Sequence, residues 1–373
     1  MKLMYFIPGL SIGGAETLVK DYALNINRKL FDVVVLCINH SYDSPYEKIL
    51  ENANVRVIYI SDYLKQNYKG KSIFKPFNKV YNFIKRFYLV KNFIRQEKPE
   101  VLHIHLPINK YIRFAKPNKK TKMFYTLHGD VKRYQHLYNY DFKAIKWLIK
   151  KYNMSIICLH DKMRREVNDI FKINNTIVLK NGIDFSKFEK RKTKTEMRKI
   201  LNIKNDLFVI GHVGRFNKVK NHGFLVNIFK EVYKKNNNSF LLLIGDGEEK
   251  SEIITMLHEY KLDNNYMILS NRIDLPDLLN TMDVFVFPSI SEGMPLSLIE
   301  AQEAKLPCFI SDKITNEAII SNLVTQLPID SGINSWVNEL CNINKVNDIY
   351  LNDKGWDIKQ VVKKLEKIYL KEE

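Results

Sequence analysis

The sequence predicts an α/β protein made of two doubly wound, Rossmann-like domains. Each domain would be a parallel sheet with helices on both faces. Short runs rich in Val, Ile, Leu and Phe alternate with segments of helical length, the pattern of sheets buried on both sides. The pattern occurs twice, in a chain of 373 residues of which 45% are hydrophobic. That is enough apolar material for two cores.

The expected strands of the first domain are Leu3–Ile7, Val33–Cys37, Val55–Ile60, Val101–His105, Met123–Leu127, Ser155–Leu159 and Ile177–Leu179. Those of the second are Phe208–Val213, Phe240–Ile244, Tyr266–Leu269, Val284–Phe287 and Cys308–Ile310. The turn sequence Asn181-Gly-Ile-Asp184 places the junction, giving domains 1–180 and 181–350. Residues 351–373 are expected to form a C-terminal helix, amphipathic over Asp357–Leu370, that packs back toward the first domain.

Composition narrows the function. Cys37, Cys158, Cys308 and Cys341 are scattered without a Cys-x-x-Cys, so buried reduced thiols are expected rather than disulfides or zinc. No apolar run reaches the length of a membrane span. The stretch Met1–Leu10, broken by Pro8-Gly9, reads as a first strand rather than a leader, and a cytoplasmic location is expected. The net charge is +18 and lopsided: residues 1–180 hold 33 Lys+Arg against 14 Asp+Glu, and residues 181–373 hold 26 against 27. One half therefore faces a polyanion, whether nucleic acid, anionic lipid or a phosphorylated acceptor.

No nucleic-acid recognition motif accompanies that charge, and a nucleic-acid partner is not expected. Between Tyr63 and Gln96 there is no acidic residue, nine Lys/Arg, and many aromatics, among them Phe74, Phe77, Phe83, Phe87 and Phe93. Val80, Phe83, Ile84, Phe87, Val90, Phe93 and Ile94 recur at steps of three and four, which predicts an amphipathic helix with a basic opposite face. Such a helix fits core packing with a solvated charged face, and equally an anionic membrane surface, where each basic side chain contributes roughly 1 kcal/mol. A second acid-free basic run spans Lys110–Lys122 in the same half.

The chemistry-bearing motifs follow predicted strands, where open parallel sheets bind ligands. After Val284–Phe287 comes Pro288-Ser-Ile-Ser-Glu-Gly-Met-Pro-Leu-Ser-Leu-Ile-Glu300. Pro295 suits the first position of a helix, whose N-terminus offers free amides to an anion. Glu292 in the loop and Glu300 in the helix can face one ligand. Ionised carboxylates only accept hydrogen bonds, so they suit the vicinal hydroxyls of a ribose or sugar ring. In Gly214-Arg-Phe-Asn-Lys-Val-Lys-Asn221, Arg215 and Lys220 combine a planar fork and a point charge, a pair suited to a diphosphate. Gly245-Asp-Gly247 reads as a structural turn. The segment Ser270-Asn-Arg272-Ile273 could meet a nucleotide base. Gly13-Gly14-Ala15-Glu16 permits a tight turn against a ligand but lacks the three-glycine dinucleotide fingerprint. His128-Gly129 follows a strand, and His103 and His105 share one face of another and read as structural.

This order of motifs resembles the family 4 retaining glycosyltransferases, over nearly the whole chain and most specifically in residues 211–310. The resemblance implies the GT-B fold, two Rossmann-like domains facing a central cleft, with the C-terminal domain gripping a nucleotide-sugar and the N-terminal domain meeting the acceptor. It implies that Arg215 and Lys220 bind the donor diphosphate and Glu300 the ribose. Glu292 would contact the donor sugar, with Gly293, Met294, Pro295 and Leu296 near the sugar and phosphates. Arg272 and Ile273 would meet the base, Gly13 and Gly14 the donor phosphate, and His128 the transferred sugar. His128, Glu292, Arg215 and Lys220 are thus the expected catalytic set, with no metal and no cofactor. Two positions depart from the family pattern, Asn271 and Lys305, where glycine is usual. The implied reaction moves a sugar from a UDP-sugar to a lipid-linked glycan in surface polysaccharide assembly, at the inner face of the cell membrane. A donor such as GDP-mannose or a soluble acceptor is the alternative.

Overall fold

The computed structural model describes residues 1–41, 44–64, 75–189, 192–343, 348–352 and 355–372, with backbone alone for 75–77. The chain divides into two compact units, Met1–Gly182 with Ile358–Glu373, and Ile183–Asp357. The junction falls two residues after the expected position 180. The return to the first unit comes at Ile358 rather than 351, because Ile183 bridges to Asp357 and donates to the Trp356 carbonyl within the second unit.

Unit 1 contains β1 (Lys2–Ile7), β2 (Asp32–Cys37), β3 (Arg56–Tyr59), β4 (Val101–His105), β5 (Lys122–Thr126), β6 (Ser155–Cys158) and β7 (Ile177–Val178). They form one parallel sheet in the order β3-β2-β1-β4-β5-β6-β7. The sheet reverses direction of winding at β1 and β4, so a crevice is expected at the carboxyl ends of those strands. Its core is filled by Leu3, Tyr5 and Ile7 of β1, by Val33 and Val35 of β2, and by Ile358, Val361, Val362, Leu365 and Tyr369 of the C-terminal helix Ile358–Leu370. Parallel strands with both faces covered account for the nearly unbroken apolar runs in the sequence.

Unit 2 contains β8 (Phe208–Val213), β9 (Ser239–Ile244), β10 (Tyr266–Leu269), β11 (Val284–Phe287), β12 (Cys308–Ser311) and β13 (Val324–Leu327). They form a second parallel sheet, β10-β9-β8-β11-β12-β13, which reverses between β8 and β11. Strand β13 was not among the expected strands. Its sequence Val-Thr-Gln-Leu mixes polar and apolar residues because it sits at the sheet edge and is only half-buried.

The amphipathic stretch in unit 1 forms the helix Lys75–Glu97. Its apolar stripe has two fates. Val90 and Ile94 are buried, whereas Val80, Phe83 and Ile84 are exposed, at 60%, 51% and 50%. One end of the stripe thus packs on the core and the other leaves it. Phe74 and the side chain of Phe77, named among the aromatics of the same acid-free segment, lie outside the described residues. Among the described residues no helix is long and apolar enough to cross a membrane, and no cluster of His, Cys, Asp or Glu could hold a metal ion.

Candidate active site

The loops after β8 and β11 meet at the reversal point of the unit 2 sheet. The Ile290 amide donates to the Val219 carbonyl at 2.9 Å, and the Asn221 side chain donates to the Pro288 carbonyl at 3.3 Å. Between these loops Lys220 Nζ lies 2.8 Å from Glu292 Oε1, with side chains 15% and 13% exposed. The same ammonium sits 4.4 Å from the centroid of Phe287, the last residue of β11. A cation over an aromatic face beside a carboxylate is held in place electrostatically. Gly214 makes room for it: a Cβ there would lie 2.9 Å from His212 Nε2 and 3.0 Å from Lys220 Cδ. The Asn217 side chain fixes the turn by accepting from the amides of Val219 and Lys220.

The loop after β9 supports this one from behind. Gly245 adopts a φ of +153°, and a Cβ there would lie 2.0 Å from the Gly214 carbonyl oxygen. The Phe216 amide donates to the Asp246 carbonyl at 2.9 Å. The Gly-Asp-Gly turn is therefore a mould for the backbone that carries Arg215 and Lys220. Arg215 itself points outward, 71% exposed, with Glu248 at 3.6 Å. The two cations expected to share a diphosphate thus differ: one is enclosed by the fold and the other is exposed at its rim.

Beneath the loop lie two histidines. His212 donates from Nδ1 to the Val286 carbonyl at 2.8 Å, and its ring is 4.7 Å from that of His222, which stacks on Phe216 at 4.1 Å. Burial holds the His212 imidazole well below its usual pKa and brings His222 down to about 3. Both are neutral at physiological pH and add no charge beneath Lys220.

The helix after β11 runs Leu296–Glu303, with Pro295 as its N-cap rather than its first residue. Gly293, Met294, Pro295 and Leu296 are buried around that helix end, and Glu300 lies within the helix, half-buried. In the loop after β10, Arg272 is held by both oxygens of Asp274, its Nε at 2.8 Å, while the neighbouring Ile273 is 56% exposed. The guanidinium is therefore already engaged, and what this loop offers outward is its backbone and Ile273.

In unit 1, Gly13 is the N-cap of the helix Gly14–Asn25 at the end of the β1 loop. His128 follows β5, and its Nε2 lies 3.0 Å from Nδ1 of His105, the last residue of β4. Burial lowers the His128 pKa to about 4. His103, two residues before His105, is bonded to Thr126 Oγ1 at 2.7 Å and to Tyr369 Oη of the C-terminal helix at 2.5 Å. The alternation of His103 and His105 placed them on one face; nothing in the sequence showed that His105 reaches His128 on the neighbouring strand.

Residues 193–343 match the family described as glycosyl transferases group 1, and residues 12–187 match glycosyltransferase family 4. The chain belongs to the family 4 glycosyltransferases. It is 32% identical over 249 residues to the Escherichia coli UDP-Gal:alpha-D-GlcNAc-diphosphoundecaprenol alpha-1,3-galactosyltransferase, covering 60% of this chain and 63% of that one. It is 34% identical over 159 residues to the capsular polysaccharide biosynthesis glycosyltransferase CapM of Staphylococcus aureus, covering 41% of this chain and 42% of CapM. The chain thus spans less than two thirds of the length of either relative. Its fold superposes on that of Anabaena HepE, crystallised with UDP and glucose, with a TM-score of 0.75 over 100% of both chains at 15% identity. The fold class is GT-B, with two Rossmann-like units.

Both departures from the family pattern sit on left-handed backbone. Asn271 has φ 55° and Lys305 has φ 61°. Lys305 and Leu306 donate to the carbonyls of Gln302 and Ala301, closing the helix Leu296–Glu303 in a Schellman motif. Glycine is the usual residue there because it adopts this conformation without a Cβ penalty. Asn tolerates it well and Lys less so. In this glycosyltransferase the Lys305 departure is one of helix termination, at the C-terminal end of the helix Leu296–Glu303.

Proposed function

We propose that the protein transfers a sugar from a UDP-sugar to a hydroxyl of a lipid-linked glycan, with retention of anomeric configuration, in the assembly of a surface polysaccharide. The observation that carries this reading is the Lys220–Glu292 pair at the reversal point of the unit 2 sheet. Open α/β sheets bind ligands at that edge, and the pair sets a cation for the diphosphate beside an acceptor for sugar hydroxyls. The names of the E. coli and S. aureus relatives support a nucleotide-sugar donor and a polysaccharide product.

In the proposed reaction the acceptor oxygen bonds to the anomeric carbon as the bond from that carbon to the phosphate oxygen breaks. The acceptor proton passes to the departing diphosphate, and UDP leaves. Negative charge grows on the leaving oxygen, where Lys220, Arg215 and the amides at the start of the helix Leu296–Glu303 stabilise it. These groups supply the positive charge that a metal would otherwise provide. Glu292 and Glu300 orient hydroxyls of sugar and ribose, and His128 contacts the transferred sugar.

The thermal stability of the purified protein with UDP, GDP, ADP and CMP tests the donor class. A ligand at 100 times its dissociation constant adds about 2.7 kcal/mol to the folded state. UDP is expected to raise the melting temperature, and Arg215→Ala to weaken that rise. No shift with any nucleotide would overturn the transferase reading; a shift with GDP alone would reassign the donor.

The acceptor's lipid places the protein at the inner face of the cell membrane, through unit 1. There the exposed Phe83 lines a groove of about 640 Å³ together with Phe87, Lys91, Arg113, Phe114 and Tyr140, and Val80 and Ile84 are exposed on the same helix. Cations lie over aromatic rings along it, Lys91 on Phe114 at 5.6 Å and Arg113 on Trp147 at 5.9 Å. Aromatic and basic side chains together suit an anionic lipid–water interface. The protein is expected to sediment with vesicles containing anionic lipid and to be released as salt rises. Exchange of Lys91 and Arg113 for Glu is expected to abolish the co-sedimentation. Equal binding to neutral vesicles would refute an electrostatic docking face.

A further inference from the structure

His105 and His128 share a single hydrogen bond, and its direction is decided by what surrounds His105. His105 is fully buried, between the rings of Tyr5 and Tyr22, with centroids at 6.1 and 6.4 Å. Its Nδ1 faces His128 Nε2 at 3.0 Å, and its Nε2 is buried and faces no hydrogen-bonding atom of the described residues. Burial disfavours the charged form of both imidazoles, so each carries one ring proton, and one hydrogen lies between the two rings.

Only two arrangements satisfy that count. In one, His128 donates from Nε2, and His105 must then carry its own proton on the partnerless Nε2. In the other, His105 donates from Nδ1 and leaves only a lone pair on Nε2, while His128 carries its proton on Nδ1. A buried N–H with no acceptor is rarer and more costly than a buried lone pair with no donor. The second arrangement therefore prevails.

We infer that His105 is a positioning residue that locks His128 in its Nδ1–H tautomer, so that the nitrogen of His128 not bonded to His105 is a hydrogen-bond donor. A donor there can bond a sugar hydroxyl or ring oxygen but cannot accept a proton from the acceptor hydroxyl. His128 would thus hold the sugar and would not act as the base. This rests on the reading that His128 contacts the transferred sugar. His103 steadies the arrangement from the middle of β4, two residues before His105. Both of its ring nitrogens are engaged, by Thr126 and Tyr369, and its ring lies 4.2 Å from that of His105.

The test is the pattern of ring nitrogens in the full-length protein labelled with ¹⁵N-histidine, whose nine histidines are assigned by single replacement. His128 is expected to show a protonated Nδ1 and an unprotonated Nε2. In His105→Phe the two forms of His128 should interconvert and average, and His105→Asn, whose amide N–H can stand where Nδ1–H stood, should restore the locked form. Release of UDP from UDP-glucose, UDP-galactose and UDP-N-acetylglucosamine gives a second readout. On the scale of groups that orient an imidazole, His105→Phe is expected to lower kcat by roughly tenfold to a hundredfold with KM for the donor little changed, and His105→Asn to recover most of it.

A protonated Nε2 on His128, or a tautomer unaltered by His105→Phe, would overturn the inference whatever the activity. A locked Nδ1–H with full activity in His128→Ala would leave the positioning intact and remove the sugar contact on which its use depends.

Discussion

Lys220→Ala is expected to slow sugar transfer by roughly a hundredfold to a thousandfold, the scale seen when one preorganised donor to developing negative charge is lost. Lys220 is placed for that role by three restraints: the carboxylate of Glu292 at 2.8 Å, the face of Phe287 at 4.4 Å, and the absence of a Cβ on Gly214. It is therefore already ordered before any ligand arrives. The replacement also strands Glu292, largely shielded from water, without its cation. A loss of ~1–3 kcal/mol in stability should accompany the loss in rate. The double replacement Lys220→Ala with Glu292→Gln separates the two effects, since a neutral amide does not require the ammonium. It should regain most of the stability and none of the rate. Steady-state transfer and thermal unfolding of the three variants check this. Transfer by Lys220→Ala at close to the unaltered rate would mean that the reversal point of unit 2 is not where the diphosphate binds.

Leu365→Ala is expected to destabilise unit 1 by about 2–5 kcal/mol while leaving unit 2 unchanged. Leu365 is fully buried in the helix Ile358–Leu370, among residues of β1 and β2 far away in sequence. Fluorescence can follow the units separately, because Trp147 lies in unit 1 and Trp336 and Trp356 lie in unit 2. Urea unfolding in a Trp147→Phe background reports unit 2 alone, and a background lacking the other two tryptophans reports unit 1. A midpoint shift confined to the Trp147 signal is expected. An equal shift in both would show that the units unfold as one. No shift would show that the helix contributes little to the core.

The strands of both sheets were legible because parallel strands buried on two faces leave long apolar runs. Eleven of the expected runs overlap β1–β4, β6 and β8–β12 with β7, and Met123–Leu127 overlaps β5. The exception, β13, is an edge strand whose polar Thr325 and Gln326 break the pattern. The loops of the site were legible from residue type, since glycines, cations and carboxylates after strands have few other uses in that combination. What the sequence withheld was pairing. Lys220 and Glu292 stand 72 positions apart in number, and Arg272 is taken by Asp274 through side-chain geometry that no spacing dictates. His105 and His128 meet only because β4 and β5 are neighbours in register, with His105 opposite Thr126. The buried end of the amphipathic helix could not be told from the exposed end, because both carry the same stripe.

The return of the chain from unit 2 to unit 1 has a consequence for biosynthesis. Unit 1 receives Ile358, Val361, Val362, Leu365 and Tyr369 into its core only after all of unit 2 has been translated. At elongation rates of about 5–20 residues per second, that interval is roughly nine to thirty-five seconds. During it the first sheet stands on the ribosome with an apolar face uncovered, while the second, continuous in sequence, can close by itself. The order of maturation is thus the reverse of the order of synthesis: unit 2 is complete first, and unit 1 is sealed last. A nascent chain in that state is a client for holding chaperones, and slow codons between the two units would lengthen its exposure rather than help it fold.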